Sequence, residues 1–149
     1  MNSIFDKTSN EAMLARINKL TAENKPLWGK MDAAQMCKHC TLAIDVAFGK
    51  MDLKLNFAIR LLGKILKKKV LYGGEMKKNS PTAKEFIVTD TLELEAAKAA
   101  LINNFSRFAT EGKSAIKIMD HPFWGQMTFE DWDALLWKHT DHHLKQFGV

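Results

Sequence analysis

The chain has 149 residues, 46% of them hydrophobic and 26% charged, with two Cys and three Pro. This is globular composition, and it excludes a disulfide scaffold and a disordered chain. The formal net charge is +5, but residues 50–78 hold nine Lys+Arg against two Asp+Glu, while the remainder has a slight acidic excess, so a uniformly basic nucleic-acid binder is excluded.

One domain, residues 1–149, is the expectation for this length. Such a chain buries roughly 70% of its unfolded surface, so it needs no metal or disulfide to stay folded. The first residues lack a basic segment followed by an apolar run, so no secretory signal is expected. The most apolar stretch, residues 57–66, is broken by Arg60, Gly63 and Lys64, so no transmembrane segment is expected. Two free thiols then fit a cytoplasmic location.

In chain order, the first predicted helix opens at Thr8, with Glu11 three residues on, and stops before Pro26. The second opens at Asp32 with Gln35 in the capping-box position and stops at Gly49. Residues 53–71 form an extra basic helix with a wide apolar arc. Its lysines, Lys64 to Lys69, are expected on the wet face of a helix that caps a core. The third bundle helix opens near Asp90 with Glu93, and runs to Gly112. The last opens at Thr128 with Asp131 and ends at Gly148. Two β-like runs, Phe86-Ile87-Val88 and Ile116-Lys117-Ile118, are too short for a sheet-based fold. The fold class is therefore all-α: a four-helix bundle with an extra short basic helix between helices 2 and 3.

Four of the five His, His121, His139, His142 and His143, fall in the last 29 residues; the fifth, His39, is on the second helix. His139 and His143 are spaced i, i+4, about 40° apart around the helix axis. They share the apolar face of Trp132, Leu136 and Phe147. Inward-facing imidazoles need partners for four ring nitrogens, from hydrogen bonds or from a metal. His39, on the flank of its helix's apolar face, is available as a third ligand. Three His leave coordination positions open, as catalytic metal sites do. Thr140 follows His139, so the H-E-x-x-H protease motif is absent.

The residues Trp28-Gly29-Lys30-Met31, Gln35-Met36, His39, His121-Pro122-Phe123-Trp124-Gly125 and His139-Thr140-Asp141-His142-His143 with Gln146 carry a resemblance. From about Trp28 to Val149 the chain resembles the DinB/YfiT-like superfamily of metalloenzymes, and within it one uncharacterised subfamily, a domain of unknown function. The resemblance implies up-down-down-up topology and a divalent metal held by His39, His139 and His143. It also implies an activity similar to metal-dependent hydrolases or thiol S-transferases acting on small molecules. Where many members read His-His-Arg-Gly-Gln, this chain has Leu144-Lys145 in place of Arg-Gly.

Three imidazoles do not choose among Zn, Ni, Fe, Mn or Cu. His121 and Trp124, in the connection before the last helix, are candidates to line the site mouth. His142 is a candidate lining residue or surface group. No general base stands out; Asp45 shares a helix with His39 but sits on its polar side. Cys37-Lys38-His39-Cys40 lacks the second pair of a zinc ribbon, and both Cys read as small core residues. Two rival readings remain at this stage. One is a non-catalytic binding module that dimerises through Trp137 and Leu144. The other is a binder of anionic surfaces acting through residues 50–78.

Overall fold

Asp6 opens the first helix. In the computed structural model, which describes residues 2–149, the Asp6 carboxylate accepts a hydrogen bond from the Ser9 backbone N–H at 2.8 Å. Helix α1 is thus Lys7–Asn18, capped two residues before the expected Thr8. At its far end Lys98, only 7% exposed, donates to the carbonyls of Asn18 and Leu20. A buried ammonium is stable there because those carbonyls have no helical partner and carry the negative end of the helix dipole.

Helix α2, Ala33–Ala47, has both halves of the Asp32–Gln35 capping box. Helix α3, Phe57–Tyr72, is capped by Asn56. It starts later than expected, because Leu53 is buried in the core before the helix begins. The first β-like run forms no strand: Phe86 ends a 3-10 turn, Lys84–Phe86, and Ile87 and Val88 follow without regular structure. Helix α4, Leu94–Glu111, follows Glu93 with no side-chain cap. The second β-like run is an extended connection, tied down by Lys117 N–H donating to the Ala47 carbonyl. A two-residue antiparallel pair, β1 (Asp120–His121) and β2 (Gly125–Gln126), precedes α5. Helix α5, Phe129–Gln146, opens on the complete Thr128–Asp131 capping box.

The bundle is α1, α2, α4 and α5. Helix α2 packs on α4 and α5, and α1 packs on the same two. Met13, Ile17, Met36, Ile44, Leu101, Phe105, Phe108, Trp132, Leu136 and Leu144 are each less than 2% exposed. Full burial of such side chains stabilises by about 1.5–3 kcal/mol apiece, which is what holds α2 and α5 face to face. No helix is long and apolar enough to cross a membrane, among the described residues.

Helix α3 lies outside the bundle, on α5 and the β1–β2 hairpin; Lys64, Lys68 and Lys69 are exposed as expected, but Lys67 turns inward and the apolar arc faces solvent. Its inward face carries Gly63 and Lys67; its outward face carries Phe57, Leu61, Leu62 and Ile65. This orientation has a local cause. Gly63 is pressed against the Phe123 carbonyl, where any Cβ would overlap it. Lys67 reaches inward to the Asp131 carboxylate at 2.8 Å and the Gln126 carbonyl at 2.6 Å.

Candidate metal centre

Helices α2 and α5 bring three imidazoles together. One ligand nitrogen from each of His39, His139 and His143 lies within 4.8 Å of the others. The ring centroids are 4.9 Å apart for His39–His139 and 4.7 Å for both His39–His143 and His139–His143. The i, i+4 spacing on α5 and the packing of α2 against it produce this directly. His39 is buried at 6% exposure, and the two α5 histidines are partly exposed.

Hydrogen bonds set the ring tautomers. His39 Nδ1 stands 2.8 Å from the Phe86 carbonyl oxygen. A carbonyl can only accept, so Nδ1 carries the proton and Nε2 keeps its lone pair. His143 Nδ1 stands 2.8 Å from Gln146 Oε1. The Gln146 amide cannot be turned over, because its Nε2 donates to the Trp28 carbonyl at 2.6 Å. His143 therefore also holds its proton on Nδ1 and presents a free Nε2. His39 Nε2 and His139 Nε2 are 3.0 Å apart, with His139 donating to the His39 lone pair. Acceptors that orient imidazoles from behind in this way are what metal-ligating histidines require.

Gly29 makes the Gln146 contact possible. Its φ is +79°, a left-handed conformation that favours glycine, and a Cβ there would sit 2.7 Å from Gln146 Nε2. Leu27 N–H also donates to the Gln146 backbone carbonyl at 2.7 Å. The α1–α2 connection is thereby stitched to the end of α5.

All three rings are held neutral at physiological pH. Burial lowers the His39 pKa, which the bond to Phe86 only partly offsets. Burial, then the neighbouring imidazoles, lowers that of His139 well below its usual value. Burial, reinforced by His39, lowers that of His143 to about 3. Neutral imidazoles in low dielectric are poor bases for protons but intact lone-pair donors.

The other candidate residues distribute differently. His142 stands beside the centre, its ring centroid 5.1 Å from that of His143 and 5.4 Å from that of Trp28. It lines a cleft of about 420 Å³ with Trp28, Trp137, Lys78, Lys138 and Lys145. His121 and Trp124 are not brought to the histidine group. His121 is buried against Trp132, at a centroid distance of 5.2 Å, about 10 Å along α5 from His139 at 1.5 Å per residue. Its Nδ1 accepts from the backbone N–H groups of Phe123 and Trp124, so it organises the hairpin turn.

Asp45 is likewise no part of the centre: it accepts from Asn104 at 2.9 Å and neighbours Lys50. Cys37 and Cys40 are fully buried in the core. Burial pushes the Cys37 thiol up to about 12 and the Cys40 thiol well above its usual value, so neither supplies a thiolate. Leu144 is fully buried within the chain, and Trp137 is half-buried at the cleft. The Phe86 carbonyl and the Trp28 carbonyl were missed by sequence reasoning, and no side-chain signal marks a backbone acceptor. Gln146 was visible three residues after His143, though without a role.

No curated protein and no solved structure matches the chain. A family does match, over residues 3–148, described as protein of unknown function (DUF1569), and with nearly its whole length matched the chain belongs to that family.

Proposed function

We propose that His39, His139 and His143 are the ligands of a divalent metal ion, and that the protein is a metal-dependent enzyme of the DinB/YfiT-like type. Its reaction would be hydrolysis of a small molecule or transfer to a small thiol. The observation that carries this reading is the pair of locked tautomers. Phe86 and Gln146 each take an Nδ1 proton, which leaves the Nε2 lone pairs of His39 and His143 available as ligands, and one ligand nitrogen of each of the three rings lies within 4.8 Å of the others.

Three neutral nitrogens fit Zn, Ni or Fe better than Mn, and do not fit Ca or Mg, which take oxygen ligands. When bound by three protein ligands, such an ion keeps positions open and lowers the pKa of a water or thiol that occupies one. The chain's own contribution is positional. Gln146 and Phe86 keep two ligands deprotonated at Nε2, and Trp28 and His142 line the neighbouring cleft. His142 is neutral there because burial lowers its pKa.

Elemental analysis of untagged protein tests the reading. Stoichiometric Zn, Ni or Fe is expected, lost in His139→Ala. Metal-free protein whose melting temperature is unmoved by added Zn, Ni, Fe or Mn overturns it.

A further inference from the structure

Helix α3 turns its apolar side to solvent. Phe57 is 80% exposed, Ile65 70%, Leu62 50% and Leu61 46%. At 100° per residue, Leu61, Ile65 and Leu62 fall in an outward arc of about 100°. Lys68 borders the Leu61 edge of that arc, Lys69 falls within it between Ile65 and Leu62, and Lys54 and Lys64 are exposed nearby. These four lysines enter no ion pair among the described residues.

The helix cannot roll to bury this face. Its inner side is pinned by polar bonds: Arg60 to Asp120 at 3.1 Å, Lys67 to Asp131 at 2.8 Å, and Lys138 to the carbonyls of Val70 and Gly73. Gly63 beneath the Phe123 carbonyl closes the remaining space. The exposed apolar strip is thus a fixed feature of the fold, and large contiguous apolar surface of this kind marks an interaction site.

We propose that α3 is a docking helix for an anionic lipid surface. An apolar strip bordered by lysines on a helix lying flat is the pattern of interfacial binding: the apolar side chains enter the headgroup–acyl boundary while the ammonium groups meet lipid phosphates. Charge complementarity selects this occupant over a second copy. The segment 50–78 carries a net +7, and two-fold pairing through α3 would bring the lysines of the two copies together. A negatively charged bilayer satisfies both the strip and its border.

Vesicle flotation tests the proposal. Full-length protein is mixed with vesicles of phosphatidylcholine alone or of phosphatidylcholine with phosphatidylserine. Retention is expected on the anionic vesicles at low ionic strength, falling as salt is added. Leu61→Trp should report burial by a blue-shifted emission on the same vesicles. The double variant Leu61→Asp, Ile65→Asp should lose retention with an unchanged circular dichroism spectrum, since both side chains are exposed. Removing Lys68 and Lys69 should weaken retention by about five-fold per lysine. Absence of retention on anionic vesicles at low salt overturns the proposal, as does equal retention by the double aspartate variant. A solution dimer that Ile65→Asp splits, with no vesicle binding, overturns it in favour of a second copy.

Discussion

Replacing Gln146 isolates what orients the candidate metal ligands. Its side chain is 3% exposed and does two things at once: Oε1 accepts from His143 Nδ1, and Nε2 donates to the Trp28 carbonyl. Gln146→Met keeps the bulk and removes both bonds. The Trp28 carbonyl then lacks its donor, which costs about 1–3 kcal/mol of stability. His143 is freed to rotate and to place its proton on either nitrogen, and loss of such a partner weakens metal binding by about 10–100-fold. Gln146→Glu separates the two effects. It keeps an acceptor for His143 but cannot donate to Trp28, so it should lose similar stability while retaining metal affinity within a few-fold. Chelator competition gives the affinities, and urea denaturation of the metal-free proteins gives the stabilities. A folded Met variant with wild-type affinity would refute the reasoning, as would a Glu variant that loses as much affinity as the Met variant.

Three further outcomes follow from the same geometry. Burial lowers the His121 pKa to about 4, below the unfolded value of 6.5, so its neutral burial stabilises above pH 6.5 and that stability drains away as pH falls toward 4. The full span is about 3 kcal/mol. His121→Asn, whose amide oxygen can take over the bonds from Phe123 and Trp124, should flatten this acid decline in denaturation curves; parallel curves would contradict it. Asp131→Ala removes one half of the α5 capping box and strands Lys67 and Tyr72, at about 3 kcal/mol. Amide exchange should then quicken across residues 57–72 first; unchanged exchange there would show that α3 is held by something else. Cys37 and Cys40, buried with raised pKa values, should react with a thiol reagent only as fast as the native protein unfolds. Rapid reaction of the folded protein would disprove their burial.

Local chemistry was legible in the chain itself. Asp32 with Gln35 and Thr128 with Asp131 mark helix starts because a cap is decided within four residues. His139 and His143 fall on one face because 3.6 residues make a turn. Cys37 and Cys40 read as inward-facing, and His39 as flanking the same face, for the same reason. At the first helix the sequence pointed to Thr8, and the structure instead caps the helix at Asp6, whose carboxylate meets the Ser9 N–H from an extended backbone.

Tertiary packing decided everything that joins distant segments. The distance from His39 to the α5 pair depends on how α2 and α5 meet. The acceptors behind His39 and His143 come from the Phe86 carbonyl and from a glutamine that Trp28 holds in place. His121 and Trp124, close to the last helix in sequence, went to the hairpin and Trp132 instead. The sharpest case is α3. A wide apolar arc and a lysine-rich edge read the same whichever side faces the bundle. Only the contact of Gly63 with Phe123 and the reach of Lys67 to Asp131 turn the apolar side outward, because a helix's periodicity defines its faces but not what stands opposite them.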